Sequence, residues 1–383
     1  MVDFHVPTKV IFSAGAVDLV GSELEAAGAR RPLVVTDAGV VQAGLLERLD
    51  AALQPHGLDP RVFSSVEPDP PVGCVEEGFG AYGSGQCDSL VALGGGSSID
   101  TAKAIGVLAS NPGQISDYFG VGKVMRPLPP LVAVPTTCGT GSEVTRSAII
   151  TDRQKQLKMV VSSTLLFPRI AVVDPELLVS LPSQLVASTG MDALTHAVEA
   201  FTNRNVNPIT DSLALGAIRL TGDHLRRASV TGDPEALLQV ALASTLAGMA
   251  FTHTILAAVH ALSHPLGARA GIPHGVANAV LLPHVVRFNA IAVPERSADI
   301  ARALGERTDR LSARWAADRA FVAVERLCLD LAIPRSLESL GVSPDLIPAM
   351  VDDAVRNLNA RLNPRRLGRS EATALYEAAF AGI

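Results

Sequence analysis

The chain has 383 residues, enough for two domains of ordinary size, and 48% of them are hydrophobic, which can fill a sizeable core. The formal net charge of −6 provides no basic field for nucleic acid, so we expect no nucleic-acid partner. The N-terminus lacks the long apolar segment of a secretory signal, and we expect no membrane span. The four cysteines lack paired spacing, which is typical of reduced thiols in a cytoplasmic protein.

The first half of the chain alternates predicted strands with predicted helices. Strands are expected at residues 32–36, 61–66, 89–93, 131–134 and 170–173, and helices at 41–54, 72–82 and 99–109. Repeated strand–helix units imply a parallel sheet with helices on both faces. Strand signals stop after Pro182, and long Ala- and Leu-rich helical stretches follow. We therefore predict an α/β domain over residues 1–181 and an all-helical domain over residues 182–383.

A glycine- and serine-rich turn follows the third predicted strand and consists of Gly94, Gly95, Gly96, Ser97 and Ser98. Glycines let the backbone approach a ligand closely, and the N-terminus of the next helix presents free N–H groups to an anion. The turn matches neither the GxGxxG nor the Walker A pattern, and taken alone it could be only a tight turn. A second polar turn, with Thr136 and Thr137, follows the next strand in the same way. Two such turns in one sheet favour a dinucleotide.

Asp37 lies at the end of the first predicted strand. A carboxylate in that position can accept hydrogen bonds from a ribose 2′-OH and repel a 2′-phosphate. The alternative is that Asp37 caps the next helix, and without further context the cap is the simpler interpretation.

A candidate metal site is indicated by two stretches. Asp192 and His196 are four residues apart, so they share one face of a predicted helix. Residues 249–263 are otherwise apolar or small, which predicts one buried helix. A buried imidazole needs a partner, which is either a metal ion or a structural hydrogen bond.

Three histidines of the second stretch, His253, His260 and His264, are spaced seven and four apart and would share a face of that helix. A set of nitrogen and oxygen ligands made of Asp192, His196, His260 and His274 suits Fe(II), Zn(II), Co or Mn. The spacing cannot choose between His260 and His264 as a ligand. Pro265 disfavours helical geometry at the preceding residue, so we expect the helix to end or kink there.

The motifs together resemble the iron-containing (metal-dependent) alcohol dehydrogenase family over essentially the whole chain. They are GGGSSID at residues 94–100, PTTCGTGSEVT at 135–145, GMDALTHAVEA at 190–200 and HALSHPLGARAGIPHGVANAVLLPHV at 260–285. The resemblance implies an N-terminal Rossmann-like dinucleotide-binding α/β domain, a C-terminal all-helical metal-binding domain and an active site in the cleft between them. It also implies a homo-oligomer, which we expect to be a dimer.

The resemblance also assigns roles to individual residues. The metal-ligand positions are Asp192, His196, His260 and His274, and His264 matches a histidine near the nicotinamide that is not a ligand. The cofactor-contacting positions are Gly95, Gly96, Ser97, Thr136, Thr137 and Lys158, with Gly94 and Ser98 completing the turn. Asp37 matches the position that favours NAD over NADP. His284 is expected to be structural, and His253, where relatives often carry Asn, is either a substrate contact or a packing variant.

The implied activity is reversible, NAD-dependent hydride transfer between a small alcohol (a primary alcohol, a diol or a hydroxy acid) and the nicotinamide. A divalent metal, Fe(II) or alternatively Zn(II), would act as a Lewis acid, and His264 would relay a proton. One alternative is a lyase resembling dehydroquinate synthase, but the motif regions are poor in the Lys and Arg that its phosphorylated substrate requires. A maleylacetate reductase-like enzyme is the other, and the presence of all four ligand positions argues against its metal-free branch.

Overall fold

A computed structural model of the chain describes residues 3–153 and 157–382. Two compact units are present, one spanning His5–Ser180 and the other running from Leu181 onward and including Phe4. The first unit contains strands β1 (Lys9–Phe12), β2 (Pro32–Val35), β3 (Arg61–Phe63), β4 (Ser89–Gly94), β5 (Gly120–Val121), β6 (Leu131–Pro135), β7 (Ser147–Asp152), β8 (Leu157–Ser162) and β9 (Ile170–Val173). Its helices are α1 (Val20–Ala26), α2 (Ala38–Gln42), α3 (Leu45–Leu53), α4 (Val72–Ser84) and α5 (Gly96–Ser110).

Six strands form a parallel sheet in the order β1-β9-β6-β4-β2-β3, and the others form a smaller sheet in the order β5-β8-β7. Strand β4 shows how the large sheet fills two cores. Leu90 and Ala92 belong to a buried cluster that includes residues of α4 and α5, whereas Val91 and Leu93 belong to a second cluster with residues of α1 and α3. The predicted parallel sheet with helices on both faces is confirmed.

The order of the large sheet reverses at β2. The chain moves from β2 to β3 on one side and later returns to place β4 on the other side. Ligands of open α/β sheets bind at such a reversal, beyond the carboxyl ends of the strands. Asp37 follows the end of β2, and the glycine turn begins at Gly94, the last residue of β4, so both sit at this point.

Two details of the first unit differ from the predictions. The single helix expected over residues 41–54 is two helices, α2 and α3, separated at Gly44, whose φ of 73° favours glycine. Strands β1, β5, β7 and β8 were not predicted. The side chains of β1 are all exposed or only partly buried, so its sequence lacks the continuous apolar signal of the central strands.

The described part of the second unit contains helices and no strands. Its helices are α6 (Ser183–Thr202), α7 (Pro208–Thr231), α8 (Pro234–Thr254), α9 (Ala258–Ala270), α10 (His274–Asn289), α11 (Pro294–Ala303), α12 (Ala313–Asp330), α13 (Ile347–Arg356), α14 (Leu358–Leu362) and α15 (Arg369–Ala381). Helix α6 packs against α7, α8 and α10, and α9 packs against α10, α13 and α14.

The helix predicted over residues 249–263 is interrupted. Helix α8 ends at Thr254 and α9 begins at Ala258, so His253 and His260 lie on different helices. Ile255 has φ 64° and ψ 179°, a conformation that costs a β-branched residue about 1–3 kcal/mol. An end or a kink of the helix was predicted at His264, and the end was wrong, because α9 continues through Pro265 to Ala270. A proline inside a helix removes one backbone hydrogen bond, and here the packing of α9 on three neighbouring helices offsets that loss.

Although no membrane span was expected, helix α8 is long and apolar enough to cross a membrane by length and composition alone. In the structure 61% of its most apolar window is buried inside the protein. A core helix of a globular unit passes the same test, so the helix is weak evidence for a membrane span.

Candidate metal centre and dinucleotide turns

Four side chains from three helices converge in the helical unit. Asp192 and His196 lie on successive turns of α6, His260 lies on α9 and His274 begins α10. One ligand atom from each lies within 4.8 Å of all the others. Asp192 Oδ1 is 3.8 Å from Nε2 of both His196 and His274 and 4.0 Å from Nε2 of His260. The four residues singled out in the sequence therefore form one cluster.

The donor set of this cluster fits a divalent cation. Metal–ligand bonds of about 2.0–2.2 Å in a tetrahedron separate ligand atoms by about 3.4 Å, so only a small inward shift is needed. Burial, with smaller contributions from His196 and His264, holds the pKa of His260 well below its usual value. His260 is therefore neutral, which is the form of imidazole that binds a metal.

A close approach between two helices brings His274 to the cluster. The residue after it, Gly275, packs directly on the backbone of α6, where a Cβ atom would lie 2.6 Å from the carbonyl oxygen of Ser188. Because that contact is with backbone, it could not be relieved by rotating a side chain. A side chain at residue 275 would push α10 away from α6 and separate His274 from Asp192.

Glu199 is a site residue that the sequence analysis missed. Its carboxylate is buried and accepts hydrogen bonds from the backbone N–H groups of Ala257, at 3.0 Å, and Val259, at 2.5 Å. It also accepts one from Nδ1 of His260, at 2.6 Å. Burial raises the pKa of Glu199 to about 7, opposed by these hydrogen bonds. The third bond leaves Nε2 of His260 as the nitrogen that faces the cluster. The spacing of Glu199 from Asp192 and His196 on one helix could have indicated it.

Asn278 lies one helical turn after His274 and was also missed. Its side chain is fully buried, and Nδ2 donates to Asp192 Oδ1 at 2.6 Å. The same nitrogen is 3.1 Å from Nε2 of His260 and 3.1 Å from Nε2 of His274. Its Oδ1 has no hydrogen-bond partner among the described residues. The amide therefore contacts three of the four candidate ligands, which makes Asn278 part of the surroundings of any bound ion.

His264 lies beside the cluster but outside the group of four. Its ring centroid is 5.9 Å from that of His260 and 5.7 Å from that of His274. Its Nδ1 lies 3.2 Å from Nδ2 of Asn357. The structure thus separates His264 from the four ligand atoms, a distinction that the spacing of the histidines could not make.

His253 lies in a packed environment. Its ring stacks on Phe4 with centroids 4.3 Å apart, and its Nδ1 is 2.9 Å from the carbonyl oxygen of Met249. These contacts favour the packing alternative for His253. The aromatic contact of the cluster itself comes from Phe251, whose ring lies 4.5 Å from that of His196.

The two polar turns of the first unit contact each other. Gly94 has φ 156°, and a Cβ there would lie 2.3 Å from Ser98 Oγ, so only glycine fits. A Cβ on Gly96 would lie 2.8 Å from the side chain of Thr140 in the second turn. Thr136 donates its N–H to the carbonyl oxygen of Gly94 at 3.0 Å. Helix α5 begins at Gly96, so Gly96, Ser97 and Ser98 form its first turn, where N–H groups are available to an anion.

Asp37 does cap a helix. Its Oδ1 accepts from the backbone N–H of Val40 at 3.0 Å, and its Oδ2 lies 3.4 Å from Ser98 Oγ. The cap occupies one carboxylate oxygen, and the other faces the glycine turn, so the two interpretations of Asp37 are compatible.

Lys158, another predicted cofactor contact, lies on β8 and forms an ion pair of 2.6 Å with Asp69.

A buried network that was not anticipated fastens the second turn to α5. Lys103 Nζ donates to the carbonyl oxygen of Ser142 at 2.7 Å and to Thr145 Oγ1 at 3.0 Å. Asp100 accepts from Ser142 Oγ at 2.6 Å and from the backbone N–H of Ile149 at 2.9 Å. Burial lowers the pKa of Lys103 to about 8, opposed by the charge of Asp100. Asp100 and Lys103 lie three residues apart on the helix that follows the glycine turn, and this spacing could have indicated a pair of interacting charges in the sequence.

Residues 7–175 match the family described as iron-containing alcohol dehydrogenase, and residues 186–380 match its C-terminal part. The chain belongs to the iron-containing alcohol dehydrogenase family. It is 42% identical to 1,3-propanediol dehydrogenase of Klebsiella pneumoniae, over 99% of each chain. It is also 42% identical to NAD-dependent methanol dehydrogenase of Bacillus methanolicus, over 95% of this chain and 96% of the relative. A crystal structure of 1,3-propanediol oxidoreductase superimposes with a TM-score of 0.97 at 42% identity, covering 99% of this chain and 100% of that one.

These matches confirm the predicted family, the α/β plus helical fold class and the activity of an oxidoreductase that acts on CH–OH groups. The predicted cofactor classes, NAD and a divalent metal, are likewise confirmed for this alcohol dehydrogenase. The dehydroquinate synthase-like alternative is thereby set aside in favour of the redox reaction.

Proposed function

We propose that this alcohol dehydrogenase interconverts a small alcohol, such as a primary alcohol, a short diol or a hydroxy acid, and its carbonyl product with NAD as the hydride carrier. The observation that carries the proposal is the cluster of Asp192, His196, His260 and His274, of which the first three are buried and His274 is partly exposed. The relatives named for 1,3-propanediol and for methanol support the small size of the substrate.

The four clustered residues are proposed as the metal ligands, with Fe(II) as the native ion and Zn(II) as the alternative. One carboxylate and three imidazoles suit either ion, so the choice of Fe(II) rests on the family. A bound ion would supply Lewis-acid polarisation of the substrate oxygen, and NAD would supply the hydride acceptor. Asp192 contributes the negative charge of the set, and Glu199 holds His260 with Nε2 towards the ion.

The dinucleotide is proposed to bind at the reversal of the large sheet. Gly94, Gly95, Gly96, Ser97 and Ser98, with Thr136 and Thr137, would contact its phosphates, and Lys158 is a further proposed contact. The helix N-terminus at Gly96 supports this, because its free N–H groups favour an anion. Asp37 is proposed to accept from the adenosine ribose and to select NAD. In this proposal residues 1–181 bind the dinucleotide and residues 182–383 hold the metal.

His264 is proposed to act in catalysis without binding the metal. Its position one turn after His260 on α9 supports a role close to the reacting groups. Its Nδ1 is engaged by Asn357, so its other ring nitrogen would hydrogen bond to the substrate oxygen or to a proton-carrying group.

Two further proposals concern the assembly and the location of the enzyme. A homodimer in the cytoplasm follows from the family resemblance. The four cysteines, which are all buried and unbridged, support a reducing compartment.

The test is a panel of small alcohols and aldehydes supplied to enzyme reconstituted separately with Fe(II), Zn(II), Co(II) and Mn(II), followed by the absorbance of reduced nicotinamide. Asp192→Ala and His260→Ala should lose bound metal on elemental analysis and lose turnover, whereas the control His264→Ala should keep its metal. Full metal occupancy in both ligand variants would refute the ligand assignment. Absence of turnover with every small substrate would refute the substrate class.

A further inference from the structure

Asn357 occupies a junction that restricts the orientation of its amide. It is the residue after α13 and the N-cap of α14, and its Oδ1 accepts a hydrogen bond of 3.0 Å from the backbone N–H of Asn359. The other end of the amide, Nδ2, lies 3.2 Å from Nδ1 of His264. If the amide were flipped, two N–H donors would face each other at Asn359, so the cap itself determines which end meets His264.

That orientation determines the protonation of the imidazole. An amide Nδ2 can only donate, so His264 Nδ1 must be the acceptor. A neutral imidazole has one acceptor nitrogen and one N–H, and the proton of His264 is therefore on Nε2.

The opposite arrangement is present one helical turn earlier. Glu199 is an acceptor, so His260 carries its proton on Nδ1 and keeps the lone pair of Nε2 for a metal. We infer that Asn357 is a positioning residue that keeps His264 in the Nε2–H tautomer, which removes Nε2 of His264 from competition for the metal and makes it a hydrogen-bond donor. Two histidines four residues apart on α9 thus have different tautomers, because the Glu199 carboxylate contacts His260 and the Asn357 amide contacts His264.

The effect of this tautomer on turnover rests on the proposed function, in which His264 contacts the reacting groups, whereas the tautomer itself rests on geometry alone. An Nε2–H group can donate a hydrogen bond to a substrate oxygen while negative charge develops on that oxygen. One hydrogen bond to a charged group contributes roughly 10- to 100-fold in rate.

Two variants distinguish the role of Asn357 as the N-cap of α14 from its effect on the tautomer of His264. Asn357→Asp keeps an N-cap oxygen for Asn359 and the size of the side chain, but it presents an acceptor to His264 and should transfer the imidazole proton to Nδ1. Asn357→Ser keeps a good N-cap, but its hydroxyl is too short to reach His264, and it should leave a mixture of tautomers.

The measurement is ¹⁵N NMR of the histidine ring nitrogens in the zinc-loaded, diamagnetic enzyme, above the ordinary imidazole pKa of about 6.5, with His264→Ala used to assign the signals. The wild type should show Nε2–H at His264, the Asp variant Nδ1–H and the Ser variant neither preference. Metal content should be unchanged in both variants, while kcat of the Asp variant should fall about 10- to 100-fold.

An Nδ1–H signal in the wild type, or the same tautomer in all three proteins, would overturn the inference. If the tautomer changes as expected but kcat does not, the role of Asn357 stands and the catalytic role proposed for His264 fails. Loss of metal in either variant would contradict the inference, because Asn357 would then support the metal ligands themselves and not only the tautomer of His264.

Discussion

Glu199 and His260 are joined by a hydrogen bond of 2.6 Å inside the helical unit, and both side chains are almost completely buried. Glu199 also binds two backbone N–H groups at the start of α9, so one carboxylate fixes both the helix and the ring that the helix carries. The orientation of a candidate metal ligand therefore depends on a residue that does not itself bind the metal.

The first prediction concerns this carboxylate. Glu199→Gln keeps the size of the side chain, but only one amide oxygen can accept, so the amide NH₂ must face one of the three N–H donors. We expect the dissociation constant of the metal to rise about 10- to 100-fold and the metal-free protein to lose about 1–3 kcal/mol of unfolding free energy. Metal titration and chemical denaturation measure the two effects. Glu235→Gln, at an exposed position on α8, is the control, and equal metal affinity in both variants would contradict the role of Glu199.

The second prediction concerns Lys103. Lys103→Met removes an ammonium that donates to several groups of the second turn and leaves Asp100 buried without its charged partner. We expect a loss of about 3–5 kcal/mol of unfolding free energy, because removing one member of a buried ion pair leaves an uncompensated charge. Lys9→Met breaks an exposed ion pair and should cost at most about 1 kcal/mol. Denaturation curves that coincide for the two variants would show that the network does not hold the turn.

The third prediction separates the two roles of Asp37. Asp37→Ser retains an N-cap for α2 but removes the negative charge, whereas Asp37→Gly removes the charge and the cap oxygen. The Ser variant should increase kcat/KM for NADP relative to NAD by at least about tenfold, because like charges placed together cost several kcal/mol. The comparison requires kcat/KM for both cofactors in the wild type and in the variants. If the wild type already uses NADP as efficiently as NAD, Asp37 is only a cap.

The fourth prediction is a pH dependence that arises from His284. Burial, with a smaller effect of Arg287, lowers its pKa to about 4, and its Nε2 has no hydrogen-bond partner in the described part of the chain. The unfolded chain takes up this proton near pH 6.5, whereas the folded protein does so only near pH 4. Between these values the unfolded state binds more protons, so the unfolding free energy falls as the pH falls.

Between pH 7 and pH 5 the contribution of His284 to this loss should be about 2 kcal/mol. The measurement is the unfolding free energy near pH 7 and near pH 5 for the wild type and for His284→Leu, which cannot be protonated. The wild type should lose more stability on acidification than the variant. Equal losses of unfolding free energy in the wild type and the variant would show that His284 has the same pKa in the folded and unfolded states.

The sequence predicted the parts of the fold that depend on local pattern. Strands β2, β4, β6 and β9 are buried at every residue and read as apolar runs, so they were found. The strand β1 was missed because none of its side chains is fully buried. The break at Ile255 could not be foreseen, because a β-branched residue rarely adopts its left-handed backbone conformation and because the Asn203 amide that donates to its carbonyl oxygen lies 52 residues earlier in the chain.

The candidate site shows the same division. The residue types and spacing in two stretches indicated a metal site, but they could not choose between His260 and His264, and only the family resemblance assigned His260 as the ligand. Asn357 was not identified, because its significance lies in contacting His264, 93 residues away in the chain. Residues that orient a functional group are defined by a partner that only the folded chain supplies, so a single sequence indicates them weakly.

The cluster draws its four donors from three helices, and α7 and α8 separate α6 from α9 and α10 in the sequence, so an unfolded chain would not hold an ion bound there in the same way. Metal uptake is consequently linked to folding, and a free ion at about 1,000 times its dissociation constant adds about 4 kcal/mol to stability. A cation that binds more tightly raises the melting temperature further, and a chelator lowers it. Thermal denaturation with each cation in turn therefore ranks the cations by affinity without requiring any knowledge of the substrate.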